Sequence, residues 1–168
     1  MSTLTRDERL AGAVALRTAG EKERAKDQLV VLAAEFPDDL EIAFQTAWAH
    51  DTLGLEAAAV PFYETAVGRP GLPPDDRKGA LLGLGSTYRT LGRYAESVKT
   101  LRQGVAEFPD DGGLRTFLAM ALYNTGEHRE AVGTLLHLLA TTSGDAGVTD
   151  YREAIAFYAD RLDETWPG

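Results

Sequence analysis

The chain reads "EFPDD" at Glu35–Asp39 and again at Glu107–Asp111, and a third "PDD" lies between them at Pro74–Asp76. The prolines of these stretches follow one another at intervals of 37 and 35 residues. Proline cannot extend the helix before it, and it biases the preceding residue away from the α region. An aspartate after it can accept hydrogen bonds from the unpaired N–H groups that open the next helix. Each Pro-Asp-Asp therefore predicts a joint between two helices.

Two capping-box patterns predict where helices begin. In this pattern a capping side chain and a glutamate three residues later each accept a bond from the other's backbone N–H group. Thr5 with Glu8 fits the Ser/Thr form, and Asp38 with Glu41 fits an Asp variant. We therefore expect Thr5 and Asp38 to cap helices.

A second set of joints is marked by glycines that end apolar-periodic segments, as C′ glycines do. These are Gly20, Gly54, Gly92 and Gly126. Five residues after each comes a small residue, and four residues later a bulky one. The small residues are Ala25, Ala59, Ser97 and Ala131, and the bulky ones are Leu29, Tyr63, Leu101 and Leu135. Helical periodicity puts both on one face, where the small residue lets two helix axes approach closely.

The unit is therefore a helix, a short turn, a second helix and a joint, repeated four times at about 34 residues, and such a period is typical of solenoids. The pattern resembles the tetratricopeptide repeat (TPR) family. The third unit matches best, with Leu84, Gly85, Tyr88, Gly92, Ser97, Leu101 and Pro109. The resemblance covers Thr5–Ser143 and implies an all-α fold, a right-handed α-α superhelix (TPR solenoid) of about nine antiparallel helices.

The predicted organisation is a single TPR-like domain over 1–168. Its repeats are expected at 5–37, 38–73 with an insertion, 75–109 and 110–143. A capping helix is expected at 148–166, because its apolar residues form one stripe and a stacked array needs a terminal element over its last open face. Asp150 and Glu153 are placed to cap it. Pro61 falls inside a predicted helix, where proline costs about 3 kcal/mol, so that helix is expected to begin late or to kink.

The charge balance argues against nucleic acid and anionic membrane as partners. The 17 Lys and Arg residues stand against 26 Asp and Glu, a formal net charge of −9, so the mean field would repel both polyanions. The absence of cysteine excludes disulfides, thiol catalysis and cysteine-ligated zinc. The first residues lack the apolar core of a signal peptide, so we expect a cytoplasmic protein. The excess of arginine over lysine favours a bacterial source.

No constellation of residues predicts catalysis, a cofactor site or a metal site. His50, His128 and His137 have no spacing that suits a pair of metal ligands on a helix. The stretch Gly83–Ser86 lies within a predicted helix and lacks the strand-turn-helix setting of a phosphate-binding loop. The paired aspartates follow prolines, which favours capping over metal binding. We therefore expect a protein that is not an enzyme and binds neither cofactor nor metal.

The resemblance implies a concave face, lined by the first helices of successive repeats, that binds a peptide or a partner helix. The residues implied to contact the partner are Leu10, Val14, Arg17, Phe44, Gln45, Trp48, Ser86, Arg89, Phe117, Met120, Tyr123 and Asn124. The same register adds Glu41, Asp51 and Leu82, and it places Gly79, Gly83 and Gly113 toward the groove. A register error of one residue would instead put Trp48, and equally Phe44 or Phe117, in the core.

Some members of the family clamp the C-terminal carboxylate of chaperones with Lys, Asn and Arg side chains at set positions. Those positions here hold Leu10, Val14, Gln45, Gly79 and Gly83. A chaperone-type carboxylate clamp is therefore not implied, and a more apolar ligand segment is. Arg17 and Arg89 remain available to pair with an acidic residue of that segment.

The sequence thus favours a scaffold that binds another protein or a peptide in its concave groove. The alternative is a self-associating module, a homodimer or larger homo-oligomer held by the apolar groove or the C-terminal helix. A third hypothesis, an enzyme with a metal on its acidic surface, rests only on the abundance of Asp and Glu.

Overall fold

The computed structural model describes residues 4–166, and these residues form ten α-helices and no strand. The helices group into two compact units, one ending at Arg93 and the other beginning at Tyr94. The first unit contains α1 (Arg6–Thr18), α2 (Lys22–Glu35), α3 (Leu40–Asp51), α4 (Glu56–Val67) and α5 (Pro74–Thr90). The second contains α6 (Tyr94–Glu107), α7 (Gly112–Asn124), α8 (His128–Thr142), α9 (Ala146–Thr149) and α10 (Arg152–Ala159). The prediction of an all-α chain is confirmed.

Consecutive helices pack against one another within each unit. In the first unit α1 contacts α2, α2 contacts α3, α3 contacts α4 and α4 contacts α5. Helix α3 also contacts both α1 and α5, so it lies at the centre of this unit. In the second unit α6 contacts α7, α7 contacts α8, and α8 contacts α10.

The helix starts confirm one predicted cap and correct another. Thr5 caps α1 in a capping box with Glu8, as predicted. The cap of α3 is Asp39 rather than Asp38, because the Asp39 carboxylate accepts bonds from the N–H groups of Glu41 and Ile42 at 3.1 and 3.0 Å. The Arg6 guanidinium donates to both oxygens of the same carboxylate, at 3.0 and 2.7 Å.

The other two Pro-Asp-Asp stretches differ from each other. In the second EFPDD the last residue again caps, because Asp111 accepts a bond from the N–H of Leu114 at 2.8 Å. In the stretch at Pro74–Asp76 the proline is itself the first residue of α5, and no side chain caps the helix. Proline is suited to this position because its missing N–H would have had no helical partner. The two aspartates that follow lie near the positive end of the helix dipole, where their negative charge is stabilised.

The predicted C′ glycines are confirmed by their backbone. Gly20, Gly54, Gly92 and Gly126 all have φ between 71 and 86°. This left-handed conformation is unfavourable for other residues and lets the chain reverse after a helix.

Two apolar clusters form the core of the first unit. One joins α1, α2 and α3, and it contains Leu10, Ala13, Leu29, Leu32, Ile42 and Ala49. The other joins α3, α4 and α5, and it contains Ala43, Phe44, Ala47, Ala59, Val60, Tyr63, Ala66, Leu72, Ala80, Leu84 and Tyr88. Helix α4 runs unbroken through Pro61, so the expected late start of this helix is wrong.

The small residues that follow the C′ glycines are buried in both units, and so are three of the four bulky ones. The exception is Leu135, which is exposed. Gly133 and His137, which contact the end of α10, lie two residues to either side of it. Residues two apart on a helix do not share a face, so Leu135 points away from α10.

The C-terminal tail differs from the single helix expected at 148–166. It forms the short α9 and then α10, which ends at Ala159. Asp150 is the C-cap residue of α9, and α10 begins after Tyr151 without a side-chain cap, so neither Asp150 nor Glu153 caps the start of the last helix. Helix α8 binds the end of α10, because the Arg129 guanidinium donates to the Asp160 carbonyl at 3.2 Å and His137 contacts the Asp160 carboxylate at 2.9 Å. Both contacts are made by Asp160, the residue that follows the last residue of α10.

Beyond α10 the chain turns back on itself. The ring of Trp166 lies 5.5 Å from that of Tyr158 and 6.0 Å from that of Phe157. A continuous helix would separate residues eight positions apart by about 12 Å along its axis. The three rings therefore form a compact aromatic cluster on the second unit.

The contact between α8 and α10 generates a stability prediction. A Cβ on Gly133 would lie 2.7 Å from the carbonyl oxygen of Ala159, so we expect Gly133→Ala to lower the free energy of unfolding by about 1–2 kcal/mol. Gly12 in α1 is the matched control, because a Cβ there meets nothing within 4 Å. Gly12→Ala should raise the free energy of unfolding by about 0.5–1 kcal/mol through helix propensity. Urea denaturation followed by circular dichroism measures both, and a stabilising Gly133→Ala would contradict the close packing.

Candidate partner-binding site

Helix α3 is buried on nearly every side, and one large side chain on it reaches the surface. Residues Ile42–Ala47 are buried, as are Ala49 and His50, whereas Trp48 is 42% exposed. A large apolar side chain that is exposed on a mostly buried helix and surrounded by polar and aromatic groups is typical of a binding site.

Trp48 is held in place by two neighbours. The Arg17 guanidinium lies over its ring, 3.8 Å from the centroid, and the Phe44 ring is stacked at 5.7 Å. A guanidinium on the face of tryptophan is a favourable cation–π arrangement. Phe44 itself is only 4% exposed, so of the two alternatives left open by the sequence the structure places Phe44 in the core.

A pocket of about 410 Å³ opens beside Trp48 in the first unit. Its walls come from α3, α4 and α5 and combine aromatic rings, glycines and carboxylates. The lining residues are Phe44, Trp48, Asp51, Tyr63, Asp75, Asp76, Gly79, Leu82 and Gly83. A concave site with apolar walls and a few polar groups is the usual form of a binding pocket.

Two glycines of α5 let this helix approach the aromatic rings. A Cβ on Gly83 would lie 2.5 Å from the Tyr63 hydroxyl, and one on Gly79 would lie 3.0 Å from Cζ of Phe44. Both glycines were predicted to face the groove, and both line this pocket. The space that their missing side chains leave is occupied by the rings.

The carboxylates of the pocket are not all neutralised. The Tyr63 hydroxyl donates to Asp51 at 3.1 Å. Burial raises the pKa of Asp51 from its usual value, and the bond from Tyr63 only partly opposes this. Burial, followed by the like charges of Glu41 and Asp75, also raises the pKa of Asp76. Both pKa shifts mean that hydrogen bonds and positive charges within the protein do not offset the cost of burying the ionised carboxylates.

Several predicted partner-binding residues carry buried polar atoms that have no hydrogen-bond partner among residues 4–166. In the first unit these atoms are Nη1 of Arg17, Oε1 of Gln45 and Nε of Arg89, together with Oγ1 of Thr87. In the second unit the atom is Oδ1 of Asn124. Unpaired buried polar atoms are rare in native proteins and call for an explanation, of which a bound group is one. Burial also lowers the pKa of Arg17.

The remaining predicted residues of the first unit occupy different environments. Leu10 is buried in the apolar cluster of α1, α2 and α3, because its face of α1 packs on Leu29 and Ile42. Val14 packs at the edge of the same cluster. Ser86 is half-buried. Leu10 is thus corrected from a groove residue to a core residue, whereas Val14 and Ser86 retain some accessible surface.

In the second unit the four predicted residues lie on α7. Phe117, Met120 and Asn124 are half-buried, and Tyr123 is exposed. The Tyr123 ring lies 4.9 Å from the ring of His128 at the start of α8. Phe117 therefore retains some accessible surface.

Sequence reasoning missed Tyr63, Asp75 and Asp76 as pocket residues. Tyr63 occupies the bulky core position of its repeat, and the two aspartates come directly after a proline. From the sequence, Tyr63 was therefore explained by core packing and the aspartates by helix capping. The available signal was that the PDD at Pro74–Asp76 lacks the preceding Glu-Phe of the other two.

The described part of the chain holds no group of three or more His, Cys, Asp or Glu side chains arranged to bind a metal ion. Within residues 4–166 no helix has the length and apolar character required to span a bilayer.

Comparison with known proteins identifies the family. A family profile described as a tetratrico peptide repeat matches residues 40–162, most of the chain. The chain belongs to the tetratricopeptide repeat family. This confirms the resemblance and the predicted fold class, and the fold is typical of non-enzymatic scaffolds for protein interactions. No curated protein matches the sequence significantly.

Solved structures share the TPR fold at low sequence identity. MamA of AMB-1 is 21% identical with a TM-score of 0.67, over 79% of this chain and 70% of MamA. MamA 41-end from Desulfovibrio magneticus RS-1 is 14% identical with a TM-score of 0.67, over 96% of this chain and 78% of the other. The APC/C hetero-tetramer Cut9–Hcn1 matches at 18% identity with a TM-score of 0.72, over 92% of this chain and 30% of that one. At these identities the similarity shows the fold alone.

The unpaired amide of Gln45 generates a prediction about stability. Gln45 is 8% exposed and its Oε1 lacks a partner within residues 4–166, so we expect Gln45→Leu to leave the free energy of unfolding unchanged or to raise it by about 1 kcal/mol. The adjacent Thr46 is the matched control, because its buried hydroxyl donates to the Ile42 carbonyl at 2.7 Å. Thr46→Val should lower the free energy of unfolding by about 1 kcal/mol. Urea denaturation measures both, and equal losses would show that the Gln45 amide contributes a satisfied bond.

Proposed function

We propose that this protein is an interaction scaffold that binds a peptide segment of a partner protein on the face formed by α1, α3 and α5. The observation that carries the proposal is the set of unpaired buried polar atoms on Arg17, Gln45 and Arg89, which come from three helices in mutual contact through α3. These side chains offer donors and an acceptor for the backbone of a bound segment. Trp48 supplies the apolar contact beside them.

The arrangement suits a peptide better than a small reactive substrate. The polar atoms come from three separate helices, which favours a ligand with polar groups at intervals along its length. A peptide backbone has one donor and one acceptor at each residue other than proline. Aromatic residues and arginine are the types that contribute most to binding energy at protein interfaces.

The comparisons support this proposal in general terms. Cut9–Hcn1 is a hetero-tetramer, so a protein of the same fold assembles with a different protein. We further propose a cytoplasmic bacterial protein that does not bind nucleic acid, in line with its net charge of −9. The lack of side chains suited to a carboxylate clamp at the corresponding positions favours a ligand other than a chaperone C-terminus.

A selection from a phage-displayed library of random peptides tests the proposal. We expect peptides that bind the wild-type protein to lose affinity by at least about tenfold with Trp48→Ala, because a central aromatic anchor is removed. Tyr151→Ala is the matched control, since Tyr151 is an exposed aromatic residue of the second unit. It should leave the affinity unchanged.

Circular dichroism and thermal melts must first show that both variants are folded to the same extent. Selected peptides that bind Trp48→Ala as tightly as wild type would contradict the proposed face. Failure to select any peptide above background would contradict peptide binding itself.

The aromatic cluster of the second unit favours self-association as a second candidate function. Phe157, Tyr158 and Trp166 are each about half exposed although they contact one another. Exposed apolar groups of this size are typical of interfaces.

Light scattering tests this candidate directly. If the cluster forms an interface, the measured mass will be a multiple of 18.1 kDa and will fall to 18.1 kDa in a Phe157→Ala, Trp166→Ala double variant. Trp48→Ala serves as the control and should leave the mass unchanged. A mass of 18.1 kDa at all concentrations of the wild type would exclude self-association in solution.

A further inference from the structure

Three carboxylates line the pocket beside Trp48. They belong to Asp51, Asp75 and Asp76, and no lysine or arginine is among the described residues that line it. We infer that this pocket binds the side chain of a lysine or arginine from the partner segment. The inference rests on the proposed function and specifies the chemistry of its ligand.

The shape of the pocket suits a long side chain with a charge at its end. The aromatic rings of Phe44, Trp48 and Tyr63 form apolar walls against which a methylene stem can pack. Lysine and arginine bury their stems on such surfaces and keep the charged group near polar ones. The carboxylates of Asp51, Asp75 and Asp76 are the charged groups among the described lining residues of this pocket.

The negative charges of Asp51 and Asp76 are not balanced by ion pairs within residues 4–166. Asp76 has no hydrogen bond or ion pair with any residue in 4–166, while Glu41 and Asp75 add like charge. Asp51 receives a neutral bond from the Tyr63 hydroxyl. A cation beside Asp76 would offset the like charges of Glu41 and Asp75, whereas a carboxylate ligand would add to them.

The nearby cations of the protein contact groups other than Asp51 and Asp76. Arg17 lies on the Trp48 ring, Arg6 pairs with Asp39 and Glu41, and Lys78 contacts the exposed Asp75 at 3.3 Å. Arg77 donates to the Val67 carbonyl at 3.3 Å. The position of Arg17 also shows that a guanidinium fits against this aromatic wall.

A metal ion fits the pocket less well than an organic cation. Hard divalent ions require several oxygen ligands at short distances. In the described residues the carboxylates do not converge in a group able to hold one. The large apolar share of the walls would remain unused by a metal and would be covered by a side-chain stem.

The test uses two capped peptides as probes, acetyl-Leu-Ala-Arg-Ala-Leu-amide and the same peptide with citrulline in place of arginine. Citrulline preserves the shape and removes the charge. Titration is followed by NMR through the indole N–H of Trp48, assigned with Trp48→Phe. We expect the arginine peptide to shift this signal and to bind about fivefold to tenfold more tightly than the citrulline peptide.

Variants that remove one carboxylate charge at a time show which residues cause the preference for arginine over citrulline. Asp51→Asn and Asp76→Asn should each reduce the preference for arginine, while Asp163→Asn, an exposed site in the second unit, should leave it unchanged. Asn at position 51 can still accept the bond from Tyr63, so the wall is preserved. Circular dichroism checks that the variants are folded.

Equal affinities for the arginine and citrulline peptides would overturn the inference, as would a preference that survives in both pocket variants or the absence of any shift at Trp48. None of these results would by itself contradict the proposed function, which fails only if selected peptides are insensitive to Trp48→Ala or cannot be obtained. The two failures are therefore distinguishable.

Discussion

The close approach of α5 to the aromatic rings of α3 and α4 is the constraint on which the candidate site depends. Gly79 faces Phe44 and Gly83 faces Tyr63 at distances that no side chain could occupy without displacement. This contact presses Phe44 into the core and keeps the Tyr63 hydroxyl within hydrogen-bond distance of Asp51. Trp48, one helical turn beyond Phe44, remains 42% exposed.

The site contains buried polar atoms that do not stabilise the free protein. A buried polar atom without a partner costs about 1–3 kcal/mol, and Arg17, Gln45 and Arg89 each contain one. Apolar residues at these positions would fill similar space without this cost. Retaining polar side chains there is easier to explain if a ligand completes their hydrogen bonds than if they serve packing. Asp76 also has neighbours of the same sign, Glu41 and Asp75, which oppose its favourable position at the start of α5.

Much of the fold could be predicted from the sequence because the determining signals are local. Glycines at C′ positions and the cap at Thr5 depend on backbone geometry over a few residues, and both are confirmed. The cap of α3 was misplaced by one residue because Asp38 and Asp39 are chemically equivalent. In the folded chain Asp39 is distinguished by the bonds that it accepts from the N–H groups of Glu41 and Ile42 and from Arg6, which is distant in sequence.

The site could be predicted only in part because burial depends on neighbouring helices. Periodicity put Phe44 and Trp48 on one face of α3, and it could not show that α5 would cover the first and leave the second exposed. Leu10 was misassigned for the same reason. The tail was misread because a continuous apolar stripe fits a straight helix as well as a helix that ends and folds back.

The two units carry different surface chemistry, which separates the two candidate functions physically. In the first unit, unpaired polar atoms and carboxylates surround Trp48, and such groups require a ligand with complementary polar groups and charge. In the second unit, the half-exposed rings of Phe157, Tyr158 and Trp166 contact one another. A surface of that kind gains mainly from excluding water and places few demands on the identity of its partner. Selective recognition is therefore expected from the α3–α5 pocket, since leaving its carboxylates unpaired penalises a wrong ligand more than a missing apolar contact does.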